Sequence, residues 1–161
     1  MKKNSLATDE QFMREALKEA KIAGKEGNWP MGCVLVIDGQ IVGREHNTGY
    51  TESIRLAHAE LKVLLRAKDE LEKHKGKAVL YTTYEPCPMC FGAIVMMKIN
   101  RVVTGIDLDH SGCLDLQQHL PSFFQQPKFK FEVTRGVLAE ECKNVYESSL
   151  VGSHHLQKNE H

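Results

Sequence analysis

The chain has 161 residues, 26% charged and 42% hydrophobic, and its 21 basic and 21 acidic side chains cancel to zero net charge. That length is enough for one domain with a sizeable core. The balance gives no basic excess to announce a nucleic-acid partner, although a local basic patch is compatible with it. No apolar run approaches membrane-spanning length, and residues 1–9 are polar, so neither a membrane partner nor a signal peptide is expected. The five cysteines (Cys33, Cys87, Cys90, Cys113 and Cys142) are odd in number and scattered. That argues against a disulfide framework and for a reducing, cytoplasmic setting.

Asp9 is placed to cap a helix running to about Gly24, with Phe12, Ala16, Ala20 and Ala23 or Ile22 as its apolar stripe. Residues 31–36 and 41–42 are apolar runs on either side of Asp38-Gly39, a hairpin signal. Residues 47–55 read as a polar loop leading into His58. A helix follows over residues 58–71, with Leu61, Leu64, Leu65 and Leu71 on its buried side. The charges of residues 68–77 read as a solvated helix end. Residues 78–83 make a central strand, and the Cys87 stretch opens a helix to about Lys98. Residues 101–106 are another strand, and 107–126 are irregular with one helical turn near Leu116. Residues 129–133 form a last strand and 139–150 a last helix. Residues 1–152 thus read as a single domain, and 153–161, with His154, His155 and His161, as a polar, disordered tail. The order α-β-β-α-β-α-β-β-α predicts an α/β fold of three α-β-α layers around a five-stranded mixed sheet.

Two stretches carry the chemistry. His58-Ala59-Glu60 and Pro86-Cys87-Pro88-Met89-Cys90 offer one imidazole, two thiols and one further carboxylate. That inventory suits a zinc site with three protein ligands and an open position for water. Cys87 and Cys90 are spaced to put both sulfurs on one face of a helix start. The electropositive N-terminus there favours thiolate. Glu60, two residues beyond His58, points elsewhere and reads as a proton shuttle. Cys-x-x-Cys also suits a redox pair, or half of a structural zinc site completed by Cys113 or His110. A purely structural zinc has no use for Glu60.

The sequence resembles the cytidine-deaminase-like superfamily, in particular the branch holding cytosine and guanine deaminases and tRNA-specific adenosine deaminase. The resemblance is carried by Trp29-Pro30-Met31-Gly32-Cys33-Val34-Leu35-Val36, Asn47, His58-Ala59-Glu60, residues 80–94 around Glu85-Pro86-Cys87-Pro88-Met89-Cys90, and Gly136-Val137-Leu138-Ala139-Glu140-Glu141-Cys142. It implies one Zn2+ per chain on His58, Cys87 and Cys90, with Glu60 catalytic. It implies Asn47 as a contact to the substrate base, where a turn role is the alternative, and places Ala59, Glu85 and Pro86 beside the substrate. Asp109 sits near a second acidic position of guanine deaminases, with a surface turn as its alternative. The resemblance also implies a homodimer. Two features depart from the branch: Ile54-Arg55-Leu56-Ala57 replaces Asp-Pro-Thr before His-Ala-Glu, and no basic final helix follows.

The resulting expectation is a zinc-dependent hydrolytic deaminase of an amino-substituted nucleobase. Neutral charge favours a small-molecule nucleobase or nucleoside (cytosine, guanine or adenine) as substrate over tRNA. The alternative is a tRNA-specific adenosine deaminase making inosine in the anticodon loop, and a third reading is a non-catalytic zinc-stabilised binding protein. A Lys/Arg cluster near the pocket would discriminate, with Lys98, Arg101, Lys128, Lys130 and Arg135 as candidates.

Overall fold

A computed structural model of the chain describes residues 2–152, so the tail at 153–161 lies outside the described residues. The hairpin forms where the sequence places it. Asp38 and Gly39 both take positive φ (48° and 77°), the geometry of a tight turn between twisted strands. They join β1 (Gly32–Ile37) to β2 (Gln40–His46). The other strands are β3 (Ala78–Tyr84), β4 (Arg101–Ile106) and β5 (Glu132–Thr134). They form one mixed sheet in the order β2-β1-β3-β4-β5. β1 runs antiparallel to both neighbours, while β3, β4 and β5 are parallel. β1 is buried along its whole length, as its unbroken apolar run requires.

Helices cover both faces. On one side α1 (Lys2–Lys25) and α5 (Ala139–Glu147) enclose Met13, Leu17, Val34, Tyr81, Val103 and Tyr146. On the other, α2 (Ala59–Arg66), α3 (Lys68–Lys73) and α4 (Pro88–Met96) enclose Leu35, Val63, Leu80, Ile94 and Val102. The expected three-layer architecture is therefore present. Gly32 lets α1 approach β1, because a side chain there would strike the α1 backbone at Ala16 and Ala20.

Several local expectations are corrected. α1 begins before Asp9, which is no cap but a side chain 3% exposed. Its carboxylate accepts from Tyr81 Oη at 2.9 Å and from Arg101 Nη1 and Nη2 at 2.9 and 2.6 Å. Ala23 is buried and Ile22 exposed. The helix after His58 breaks at Ala67 into α2 and α3, and Leu65 faces outward at 60% exposure while Val63 takes the core. Residues 114–129 form three short 3-10 helices rather than one turn. The last strand starts only at Glu132, because Phe129 and Phe131 are drawn into the core. Leu150 lies beyond α5 and is exposed.

Candidate metal centre and active-site cleft

Two helix starts meet at one rim of the sheet. His58 immediately precedes α2 and Cys87 immediately precedes α4, both with extended backbone and neither making a side-chain cap. Pro88 opens α4, where its missing N–H costs little. His58 Nδ1 stands 3.6 Å from Cys87 Sγ and 3.6 Å from Cys90 Sγ. A tetrahedral zinc with Zn–S of about 2.3 Å and Zn–N of about 2.0–2.1 Å sets nitrogen and sulfur roughly 3.6 Å apart. The donor set therefore already has the edge length of a zinc tetrahedron. Among the described residues, these three form the one group whose ligand atoms all lie within 4.8 Å of one another. Neither Cys113 nor His110 joins it, so the structural four-ligand alternative has no fourth ligand here. Cys113 Sγ instead points to the Ser111 carbonyl at 3.3 Å.

Electrostatics agree with metal binding. The Cys90 thiol beside it, the His58 ring and the backbone of α4 pull Cys87 down to about 4, despite burial. The Cys87 thiolate and burial push Cys90 up, so without metal the pair shares a proton. The Cys87 sulfur raises His58. Such a thiolate-rich pair is what a divalent cation replaces protons on.

Glu60 is 4% exposed. Burial raises its carboxyl above the ordinary range, opposed by its own backbone and by Thr82. Oε1 lies 2.9 Å from Thr82 Oγ1, and Oε2 lies 3.5 Å from Cys90 Sγ. Thr82 Oγ1 is also 3.0 Å from the Tyr84 carbonyl. One hydroxyl proton cannot serve both acceptors fully. With Glu60 ionised the hydroxyl donates to it; with Glu60 protonated it can accept from the acid and donate to Tyr84.

In front of these groups lies a cavity of about 180 Å³ that Asn47, His58, Glu60, Glu85, Cys87 and Asp109 help to line. Its walls also include Trp29, Met31, Tyr84 and Tyr146, which sequence reasoning did not single out as lining. Gly49 N donates to Asn47 Oδ1 at 2.9 Å, which turns the amide NH2 of this buried side chain toward donation. Glu85 faces the cavity too, but its carboxylate accepts from Arg135 Nε at 2.7 Å, from Arg135 Nη2 at 3.1 Å and from Leu114 N at 3.3 Å. Its structural role is to anchor the segment after β4. Asp109 accepts from Tyr84 Oη at 2.9 Å and Ser111 Oγ at 2.7 Å, so it is part of a turn and part of the wall. Ala59 and Pro86 are buried and are not among the lining residues. The Pro86 carbonyl accepts from Cys113 N at 3.0 Å.

The basic candidates do not cluster here. Arg101 is spent on Asp9 and Arg135 on Glu85 and Asp115. Lys128 lies over the Phe123 and Phe129 rings. The basic residue that does reach the cleft is Arg55, from the segment where the sequence departs from the branch pattern.

Comparison with known proteins places this geometry. The profile of the cytidine and deoxycytidylate deaminase zinc-binding region matches residues 6–106, and the chain belongs to that family. It is 43% identical over 140 residues to the tRNA-specific adenosine deaminase of Bacillus subtilis (strain 168), covering 85% of each chain. A solved tRNA:A34 deaminase, studied for A-to-I editing at the wobble position of transfer RNA, is 33% identical with a TM-score of 0.70. That match covers 84% of this chain and 98% of the other. A guanine deaminase from Nitrosomonas europaea shares the fold at 21% identity and a TM-score of 0.67, over 86% of this chain and 82% of its own. The family makes the protein a zinc-type hydrolase of C–N bonds in nucleobase or nucleoside substrates. The expected small-molecule partner is corrected, since the Bacillus subtilis relative at 43% identity and the solved deaminase at 33%, each covering more than four fifths of this chain, act on tRNA by name. No helix among the described residues is long and apolar enough to cross a membrane.

Proposed function

We propose that this member of the deaminase family converts adenosine to inosine in a tRNA anticodon loop. The carrying observation is the 43% identity over 85% of both chains to a tRNA-specific adenosine deaminase. Net charge favours a small substrate only if the whole surface meets the ligand. An enzyme that grips one loop needs local groups, and zero net charge does not exclude these.

His58, Cys87 and Cys90 would hold the zinc. When bound, zinc supplies a water acidic enough to ionise near neutral pH. Asn47 offers its amide NH2 to the target base and fixes its orientation. Glu60 takes the water's proton as oxygen bonds to C6, and passes it to the ring nitrogen N1. It then carries the second proton to the departing amine, so adenosine and water become inosine and ammonia. Burial suits Glu60 to both halves of that cycle, because a raised carboxyl pKa brings its acid and base forms closer in energy at working pH. Thr82 accompanies the change by exchanging donation to Glu60 for donation to the Tyr84 carbonyl.

The test is ammonia release by zinc-loaded protein from an anticodon stem-loop, set beside free cytosine, guanine, adenine and their nucleosides. Turnover of the stem-loop, with apparent affinity falling steeply as salt rises, is the expected result. Turnover confined to one free base would overturn the assignment.

A further inference from the structure

We propose that Lys62 is a positioning residue for the reaction: its ammonium clasps the chain on both sides of Asn47 and so fixes the base-orienting amide relative to the metal centre. This rests on the reading above, in which Asn47 orients the target base. It gives a role to a side chain that is not among those lining the cleft.

Asn47 and His58 stand where two parts of the cleft join. The inner cavity opens into an outer one of about 430 Å³, and Trp29, Asn47 and His58 line both. Asn47 belongs to the segment that follows β2, whereas His58 starts α2. A base held by the first and attacked beside the second reacts only if the two keep their spacing. A misplacement of about 1 Å can cost roughly a hundredfold in rate.

Lys62 spans that gap. It lies one turn into α2, where its backbone N donates to His58 O at 3.0 Å. Its side chain, 16% exposed, runs back to the end of β2. There Nζ donates to His46 O at 3.1 Å and to Thr48 Oγ1 at 2.9 Å, and stands 3.2 Å from Glu45 Oε2. An ammonium has three N–H bonds and accepts none, so these three oxygens use it fully. Two of them belong to the residues immediately before and after Asn47. Glu45 is buried and shared with Arg66. Charges drawn out of water in this way are costly unless their hydrogen bonds are met, which makes the clasp specific in geometry.

The hold is local to Asn47. Farther along the same loop it passes to Asn28, which accepts from Tyr50 N and Thr51 N at 3.0 Å each. The flexible stem and divergent donors of a lysine suit oxygens from successive residues, where a flat guanidinium does not.

The test is a double-mutant cycle on zinc-loaded protein, with Lys62→Met, Asn47→Ala and the two combined, assayed for inosine from the anticodon stem-loop. Lys62→Met should keep one zinc per chain and lower kcat roughly tenfold, with KM little changed because RNA outside the cleft sets it. The same substitution should cost less than about twofold once Asn47 is already replaced. Thr48→Val removes one oxygen of the clasp at nearly constant volume. It should show a smaller loss with the same dependence on Asn47, and it decides the matter if Lys62→Met does not fold. An equal Lys62→Met penalty with and without Asn47, no penalty, a loss that follows zinc content, or full activity of Asn47→Ala overturns the role. If wild type deaminates only a free base, the RNA reading fails separately. The cycle on that base, judged by the same criteria, then decides the role of Lys62.

Discussion

Glu60 and Tyr50 lie at the two ends of one cleft, one 4% exposed and the other 57%. The inner end is built from helix starts fixed by the sheet, and its polar side chains are held by neighbours: Glu60 by Thr82, Glu85 by Arg135, Asp109 by Tyr84. The outer end is a loop held through one buried asparagine, with its aromatic and cationic groups left to solvent. Chemistry at the inner end needs groups held to within a fraction of an ångström. Recognition at the outer end needs surface that a partner can cover. Substitutions should separate these two kinds of role.

The largest effect should come from the metal ligands. Cys87→Ala should abolish stoichiometric zinc, read by metal analysis of purified protein, and activity with it. A variant that kept one zinc per chain would point to other ligands. Glu60→Gln should keep zinc and fold but lower kcat by roughly 10²–10⁴-fold. Near-normal turnover in that variant would remove Glu60 from the reaction.

Asp9→Ala breaks the comparison in the other direction, by acting far from the cleft. It leaves Arg101 and Tyr81 without their buried partner, which should cost about 3 kcal/mol. For a chain of this size that is roughly 6–12 °C in Tm. Zinc content and kcat at low temperature should be unchanged.

The smallest effect sharpens the account of Glu60. Burial holds its carboxyl pKa up and the Thr82 hydroxyl holds it down. Thr82→Val removes the lowering contribution, so the pKa moves further up and the ionised base appears only at higher pH. The acid limb of the pH–kcat/KM profile should therefore shift upward, with a loss of roughly three- to tenfold on that limb and little above it. A uniform loss at all pH values would mean that Thr82 only supports packing.

How much of this was legible depends on the range of the signal. Zinc chemistry demands particular residue types at short spacing, so the grouping of His58, Cys87 and Cys90 could be read directly. The hairpin was equally local, because Asp38-Gly39 meets the φ requirement by itself. Asp9 carried a local cap signal, but its partner Arg101 is 92 residues away, and that pairing decided its place. Leu65 fitted the helical period, yet the break at Ala67 and the packing of Val63 turned it outward. The walls of the cleft were hidden for the same reason. Trp29, the loop that carries Tyr50 and Arg55, and Tyr146 are far apart in the sequence and meet only in the fold. Net charge misled because it averages over the whole surface, while recognition is local.

The most direct test is inosine formation at the target adenosine of a tRNA anticodon stem-loop, quantified by mass spectrometry, with zinc-loaded wild type and Glu60→Gln side by side. The account predicts multiple turnovers by wild type and a loss of at least roughly a hundredfold in the variant, with zinc retained by both. No inosine from wild-type protein that deaminates a free base, or equal inosine from the two proteins, would contradict it.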